Sequence, residues 1–198
     1  MTAGTSICPN DRPAFLNERA DMETKIKTLG RLFARSFHVD LDHIRRPGDR
    51  TAERLVIRHP SAVVVVPLVS PDETVVVTQY RYALGRETVE FPAGKLEPGE
   101  APETAALREL AEETGYRAGR IEPLLSFAPS VGYSTEIIHA FVARNLTRLD
   151  EGPDPDEIAR VEIMRLDRLK ELVRAGEIID GTTMLALAAC EWLAGGPE

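Results

Sequence analysis

Three glutamates, Glu109, Glu112 and Glu113, crowd into five positions of this chain, inside a stretch whose composition favours helix. Residues 100–114 contain no glycine, are rich in Ala, Leu and Glu, and stop just before Gly115, which predicts a helix closed by a glycine C-cap. At about 100° per residue the three carboxylates share one face, and Leu107, Leu110, Ala111 and Thr114 share the opposite one. Like charges at these spacings cost a helix roughly a few tenths of a kcal/mol each, so a cation would relieve the patch. A hard, oxygen-seeking divalent ion suits it best. Taken alone, three glutamates on a helix read first as a solvated acidic surface, and the residues around them decide.

Those residues form GKLEPGEAPETAALRELAEETGY, positions 94–116. The segment resembles the Nudix box: Gly, five residues, Glu, seven residues, then Arg-Glu-apolar-any-Glu-Glu-any-Gly-apolar, with Tyr116 in the last apolar place. So many specified positions at fixed spacing demand far more than a lone glycine-rich motif. The resemblance implies an α/β fold, the Nudix α/β/α sandwich with a mixed β-sheet, and hydrolysis of a diphosphate by a metal-activated water. It implies Glu109 and Glu113 as principal Mg²⁺ ligands, with Glu112 and the backbone carbonyl of Ala93 completing the site and Mn²⁺ able to substitute. Arg108 and Glu100 would pair to brace loop and helix. Gly94 and Gly115 are read as structural parts of the motif, a tight turn and the helix cap.

Residues outside the box point to the substrate. SFAPSVGYSTE, positions 126–136, resembles the loop of ADP-ribose pyrophosphatases, whose final acid, here Glu136, is the implied general base; Val131 stands where proline is common. Gly132 would let this loop move and swing Glu136 towards the water. Glu112 is the rival base, and a carboxylate engaged by metal is the poorer proton acceptor. Glu136, Glu112 and Arg108 are thus the expected catalytic residues. HPSAVVVVPLV and TQYRYALGRETVEFPAGKLEPGE are similar to the same subfamily. Arg81 and Arg54 fall where such enzymes place arginines near the diphosphate or terminal ribose, and a guanidinium fork matches phosphate oxygens. Either could also be a plain surface residue on a strand.

The implied reaction is hydrolysis of ADP-ribose to AMP and ribose 5-phosphate. Another nucleotide sugar, GDP-mannose or ADP-glucose, is the alternative within the enzyme class, and a Nudix domain that binds ADP-ribose without cleaving it is the alternative outside it. The related enzymes are homodimers that exchange N-terminal strands, which here would fall in residues 37–59.

The elements that must position this chemistry follow from pattern. Residues 37–44 and 54–59 flank the turn-prone Arg46-Pro47-Gly48-Asp49 as a hairpin would. Residues 62–69 and 74–82 are β-branched runs around another turn, and strand-like segments return at 121–127, 137–143 and 161–166. Helical patterns follow at 167–175 and 182–193, and 151–156 reads as an exposed acidic loop. The division expected is a small N-terminal strand unit over 1–60, serving dimerisation, and a hydrolase domain over 61–198. In the last helix, Cys190 and Trp192 sit among apolar residues that suggest packing on the sheet or a partner subunit.

Composition narrows the partners. With 24 Lys and Arg against 32 Asp and Glu, the net charge is −8, which argues against nucleic acid as the main partner, and the small nucleoside diphosphate substrate is what the resemblance implies. Cys8 and Cys190 are the two cysteines and form no CxxC, so neither a disulfide framework nor a zinc site is suggested, and a cytoplasmic setting is expected. His38, His43, His59 and His139 form no HExxH and are read as structural. The N-terminus lacks the pattern of a secretory signal, and the longest apolar run is too short to span a bilayer, which takes roughly 20 residues as a helix.

Overall fold

A computed structural model describes residues 22–150 and 158–193. Cys8 and the acidic segment 151–156 lie outside the described residues. Strands β1 (Thr24–Phe33), β2 (His38–Arg46) and β3 (Arg50–Arg58) form an antiparallel three-stranded sheet. The expected turn between β2 and β3 is tight: Gly48 and Asp49 both adopt left-handed backbone, at φ 76° and 58°, a conformation that glycine adopts without strain and aspartate tolerates. β1 was not expected, because its sequence TKIKTLGRLF shows no alternation and stays exposed along almost its whole length.

The second sheet comprises β4 (Ala62–Ser70), β5 (Glu73–Arg81), β6 (Arg86–Glu90), β7 (Ala93–Lys95), β8 (Tyr116–Phe127), β9 (Ile138–Arg148) and β10 (Arg160–Arg165). Its order is β10-β5-β4-β9-β8, with β6 beside β5 and β7 beside β4. β4 and β9 run parallel and the other pairs antiparallel, so the sheet is mixed as expected. Helix α1 (Pro102–Thr114) covers one face, and α2 (Leu166–Arg174) and α3 (Gly181–Leu193) cover the other.

β4 shows why. Its side chains alternate, Val63 and Val65 packing with Ala105, Ala106 and Leu110 of α1, and Val64, Val66 and Leu68 with Leu169, Leu172, Ala186 and Leu187 of α2 and α3. A strand buried on both faces reads as a continuous apolar run. Truncating such a residue, for instance Leu110→Ala, costs about 2–5 kcal/mol. β8 and β9 extend beyond their expected ends because Tyr116 to Ala118 pair with Arg148 to Leu146, a register that local apolarity does not mark. At the C-terminal end of α3 Trp192 is 74% exposed, so the helix packs through Ala186, Leu187 and Ala189 and not through its tryptophan.

Candidate active site

α1 departs from its expected face. It begins at Pro102, two residues later than predicted, with proline in the first turn where a missing N–H costs nothing. Its buried positions are Ala105, Ala106, Glu109, Leu110, Glu113 and Thr114, whereas Leu107 and Ala111 are half-buried. The carboxylates of Glu109 and Glu113 therefore lie within the packed face of the helix, with Glu112 at its exposed rim. Two features of β7 accommodate them. A Cβ on Gly94 would stand 2.0 Å from the Glu109 carboxyl carbon, so Gly94 is needed for close approach and lies in a strand, not in a tight turn. The N–H of Ala93 donates to Glu113 Oε2 at 2.9 Å. Gly115 caps α1 in left-handed conformation at φ 71°.

Arg108 ties box and loop together. Its guanidinium donates to both oxygens of Glu100 at 3.0 and 2.9 Å, to Glu109 Oε1 at 2.8 Å, to Glu112 Oε2 at 3.0 Å and to the Lys95 carbonyl at 3.1 Å. Bonding to Glu100 first, then Glu109 and Glu112, drives its pKa further up. Glu100 is held below the usual carboxylate range, chiefly by Arg108 and next by the Glu97 N–H.

These groups open on a cleft of about 510 Å³. Seven acidic side chains line it (Glu90, Glu97, Glu109, Glu112, Glu113, Glu136, Asp180) against three basic ones (Arg81, Lys95, Arg108). A diphosphate, itself anionic, enters such a cleft only with a cation. All-oxygen donors fit Mg²⁺, which keeps waters and takes substrate phosphate rather than a closed protein cage. Among the described residues no group of three acids, histidines or cysteines is gathered closely enough to hold a metal ion by itself.

Glu136 reaches the same cleft, but its loop is tied down, not loose as expected. Ile57 N–H donates to the Tyr133 carbonyl at 2.7 Å, and Thr135 N–H donates to the Ile57 carbonyl at 3.0 Å. The His59 N–H donates to Thr135 Oγ1 at 3.0 Å, and that hydroxyl faces the His59 carbonyl at 3.2 Å. His59 Nδ1 lies 3.2 Å from Glu136 Oε1. The end of β3 thus grips the acid loop, and His59, read from sequence as structural, stands at the site.

Arg81 lines the cleft, where the buried carboxylate of Glu90 holds it through two contacts, Nε to Oε1 at 2.8 Å and Nη2 to Oε2. Glu90 first, then the fields of Asp180 and Glu113, raise the Arg81 pKa against the opposing effect of burial. Arg54 is placed elsewhere. It lies half-buried on β3, bonded to Glu23 at 2.5 and 3.1 Å, and is not among the cleft residues. The sequence reading missed Asp180 and Thr182, where α3 meets the cleft. A signal was present: the Asp180 carboxylate accepts the Thr183 N–H at 2.7 Å, the contact of an N-cap ahead of Gly-Thr-Thr.

Residues 58–183 match the NUDIX domain family. The chain belongs to the Nudix family. It is 40% identical over 167 residues to the methanol dehydrogenase activator of Bacillus methanolicus, covering 83% of this chain and 90% of that one. It is also 40% identical over 150 residues to the ADP-ribose pyrophosphatase of Bacillus subtilis, covering 74% and 80%. The GDP-mannose pyrophosphatase of Salmonella typhimurium is 32% identical over 162 residues, covering 76% and 84%. Among solved structures, an ADP compounds hydrolase superposes with a TM-score of 0.73 at 24% identity, covering 87% of this chain and 96% of the other, which supports the fold.

Proposed function

We propose that this Nudix hydrolase cleaves the diphosphate of ADP-ribose, releasing AMP and ribose 5-phosphate. The observation that carries the reading is the meeting, in one cleft, of the Glu109, Glu112 and Glu113 face with Arg81 and Glu136, and the Bacillus subtilis relative supplies the substrate. Bound at Glu109, Glu112 and Glu113, with the Ala93 carbonyl beside them, Mg²⁺ would neutralise the diphosphate and lower the cost of bringing water to phosphorus. Arg81, kept charged and oriented by Glu90, binds a phosphate oxygen. Glu136 takes the proton of the attacking water. Arg108 keeps loop and helix in register without touching the substrate.

A substrate panel with Mg²⁺, resolved by chromatography of the products, tests this. ADP-ribose should exceed GDP-mannose, ADP-glucose and nucleoside triphosphates in kcat/KM by at least about tenfold, roughly the discrimination one good contact supplies. Preference for GDP-mannose would favour the reading that the Salmonella relative suggests. Acceleration of an alcohol dehydrogenase on mixing, with no hydrolysis of any diphosphate, would favour an activator role like that named for the Bacillus methanolicus relative.

The assembly we propose is a homodimer in which the unit over 1–60 supplies the contact. Leu32, Phe33, Leu41 and Leu55 of the three-stranded sheet are exposed, 72%, 74%, 38% and 54% respectively, and such a surface suits a second copy. Arg54, which does not line its own cleft, would serve the substrate only across that contact. No helix among the described residues is long and apolar enough to cross a membrane, and we place the protein in the cytoplasm on its cysteine usage.

A further inference from the structure

We infer that His59 and Thr135 are positioning residues for this hydrolysis, and that they fix the carboxylate of Glu136 in place from the end of β3. The inference rests on the reading of Glu136 as general base. The hydrogen bond of His59 Nδ1 goes to the Pro60 carbonyl at 2.9 Å, and Glu136 Oε1 lies 3.2 Å from the same nitrogen, at ion-pair distance. A nitrogen between two acceptors carries the hydrogen, which assigns the Nδ1–H form. His59 therefore faces Oε1 with its hydrogen-bearing nitrogen, an electrostatic contact that leaves Oε2 to accept the proton of the water.

The ring is itself held. Phe37 lies against it with centroids 5.5 Å apart, and the His59 backbone bonds the Thr135 hydroxyl through both its N–H and its carbonyl. Thr135 N–H and the Tyr133 carbonyl pair with Ile57, so the base-bearing loop runs as a short extension of β3. A loop acid of this kind would otherwise lose rotamer and backbone freedom at each turnover. A displacement of about 1 Å at a catalytic group can cost about 10²-fold in rate.

The test is steady-state kinetics on the full chain with Mg²⁺ and ADP-ribose. His59→Leu should lower kcat about 10- to 100-fold with KM changed less than about threefold, while His59→Asn, which keeps an N–H near the Nδ1 position, should recover most of that loss. Thr135→Val should lower kcat by several-fold and Thr135→Ser should restore it. Combining His59→Leu with Glu136→Gln should be no slower than Glu136→Gln alone, because both changes remove one unit. If Glu136→Gln is slow but His59→Leu and Thr135→Val keep kcat within about threefold, the positioning role is wrong and the base assignment stands. If Glu136→Gln keeps full activity, the base assignment fails and this inference with it. Should His59→Leu not fold, the Thr135 pair decides alone.

Discussion

Among the described residues, two buried acid clusters are neutralised in opposite ways. In the three-stranded sheet, Asp40 and Asp42 on β2 are 1% and 3% exposed. They meet cations from both neighbouring strands: Arg31 at 2.5 Å from Asp40, Lys25 at 2.8 Å and Arg58 at 2.9 Å from Asp42. On α1, Glu109 and Glu113 are 9% and 6% exposed, in a cleft whose acids outnumber its bases by seven to three. A buried charge is tolerated when it is paired and hydrogen-bonded. The strand cluster finds that balance within the chain, so it serves the fold. The helix cluster leaves a surplus of negative charge around an open cleft, as the proposed binding of a cation and an anionic substrate requires and a structural network does not.

That contrast predicts opposite outcomes for the same chemical change. Glu113→Gln or Glu109→Gln should lower turnover by orders of magnitude while the thermal midpoint holds or rises, because each variant removes negative charge from an acid-rich cleft. Asp42→Asn should do the reverse, lowering the thermal midpoint and leaving kcat alone. Circular dichroism melts beside ADP-ribose kinetics read both quantities, and normal activity in both glutamate variants would break the distinction. Glu136→Gln, which removes the proposed proton acceptor and no proposed metal ligand, should reduce kcat about 10²–10⁴-fold at nearly constant metal affinity. A selective loss of metal affinity would move Glu136 into the ligand set.

Much of the helix cluster could be read from the sequence, and the strand cluster could not. Gly94, Glu100, Arg108, Glu109, Glu112, Glu113 and Gly115 announce themselves because their spacing is set by one local helix and its loop. Periodicity alone nevertheless gave α1 the wrong buried face: it assumes that carboxylates turn outward, whereas Glu109 packs against the bare Cα of Gly94. The pairing of Asp40 with Arg31 and Arg58 depends on strand register across β1, β2 and β3, and β1 carries no alternation to reveal it. For the same reason His59 escaped notice, since its partner lies 77 positions away in a loop that only tertiary structure brings close. β6 and β7 are too short to carry a periodic signal.

The close approach over Gly94 sharpens the comparison further. Gly94→Ala places a methyl group 2.0 Å from the Glu109 carboxyl carbon, so the carboxylate must move. Displacement on the order of 1 Å should cost about 10²-fold in kcat. The strand cluster has no counterpart: a Cβ on Gly30 of β1 meets nothing within 4 Å, so Gly30→Ala should leave kcat unchanged. Parallel kinetics on the two alanine variants check this, and equal activity would show that Glu109 does not need its present position.

The smallest effect expected is a dependence of stability on acid that belongs to the strand cluster. Arg31 first, and Arg58 after it, hold the Asp40 carboxyl at about 2, well below its ordinary 3.8, and Lys25 leads the groups that lower Asp42. A carboxyl depressed in the folded state favours folding when it is ionised there. Its contribution is therefore fully present above about pH 4, declines as pH falls through the range between the unfolded and folded values, and is gone below about pH 2. Because Lys25 and Arg31 reach the pair from the solvent side, salt weakens the contribution, and the effect should be larger at low ionic strength. Thermal midpoints recorded from pH 5 to pH 2 should fall less steeply in Asp40→Asn than in the parent chain, and the two curves should converge at the acid end. Asp42, lowered first by Lys25, and Glu100, lowered first by Arg108, add components that Asp40→Asn does not remove, so some slope persists in the variant. Parallel curves for parent and variant across that range would mean that Asp40 keeps the same proton affinity folded and unfolded, and Asp40 would then contribute nothing through its charge.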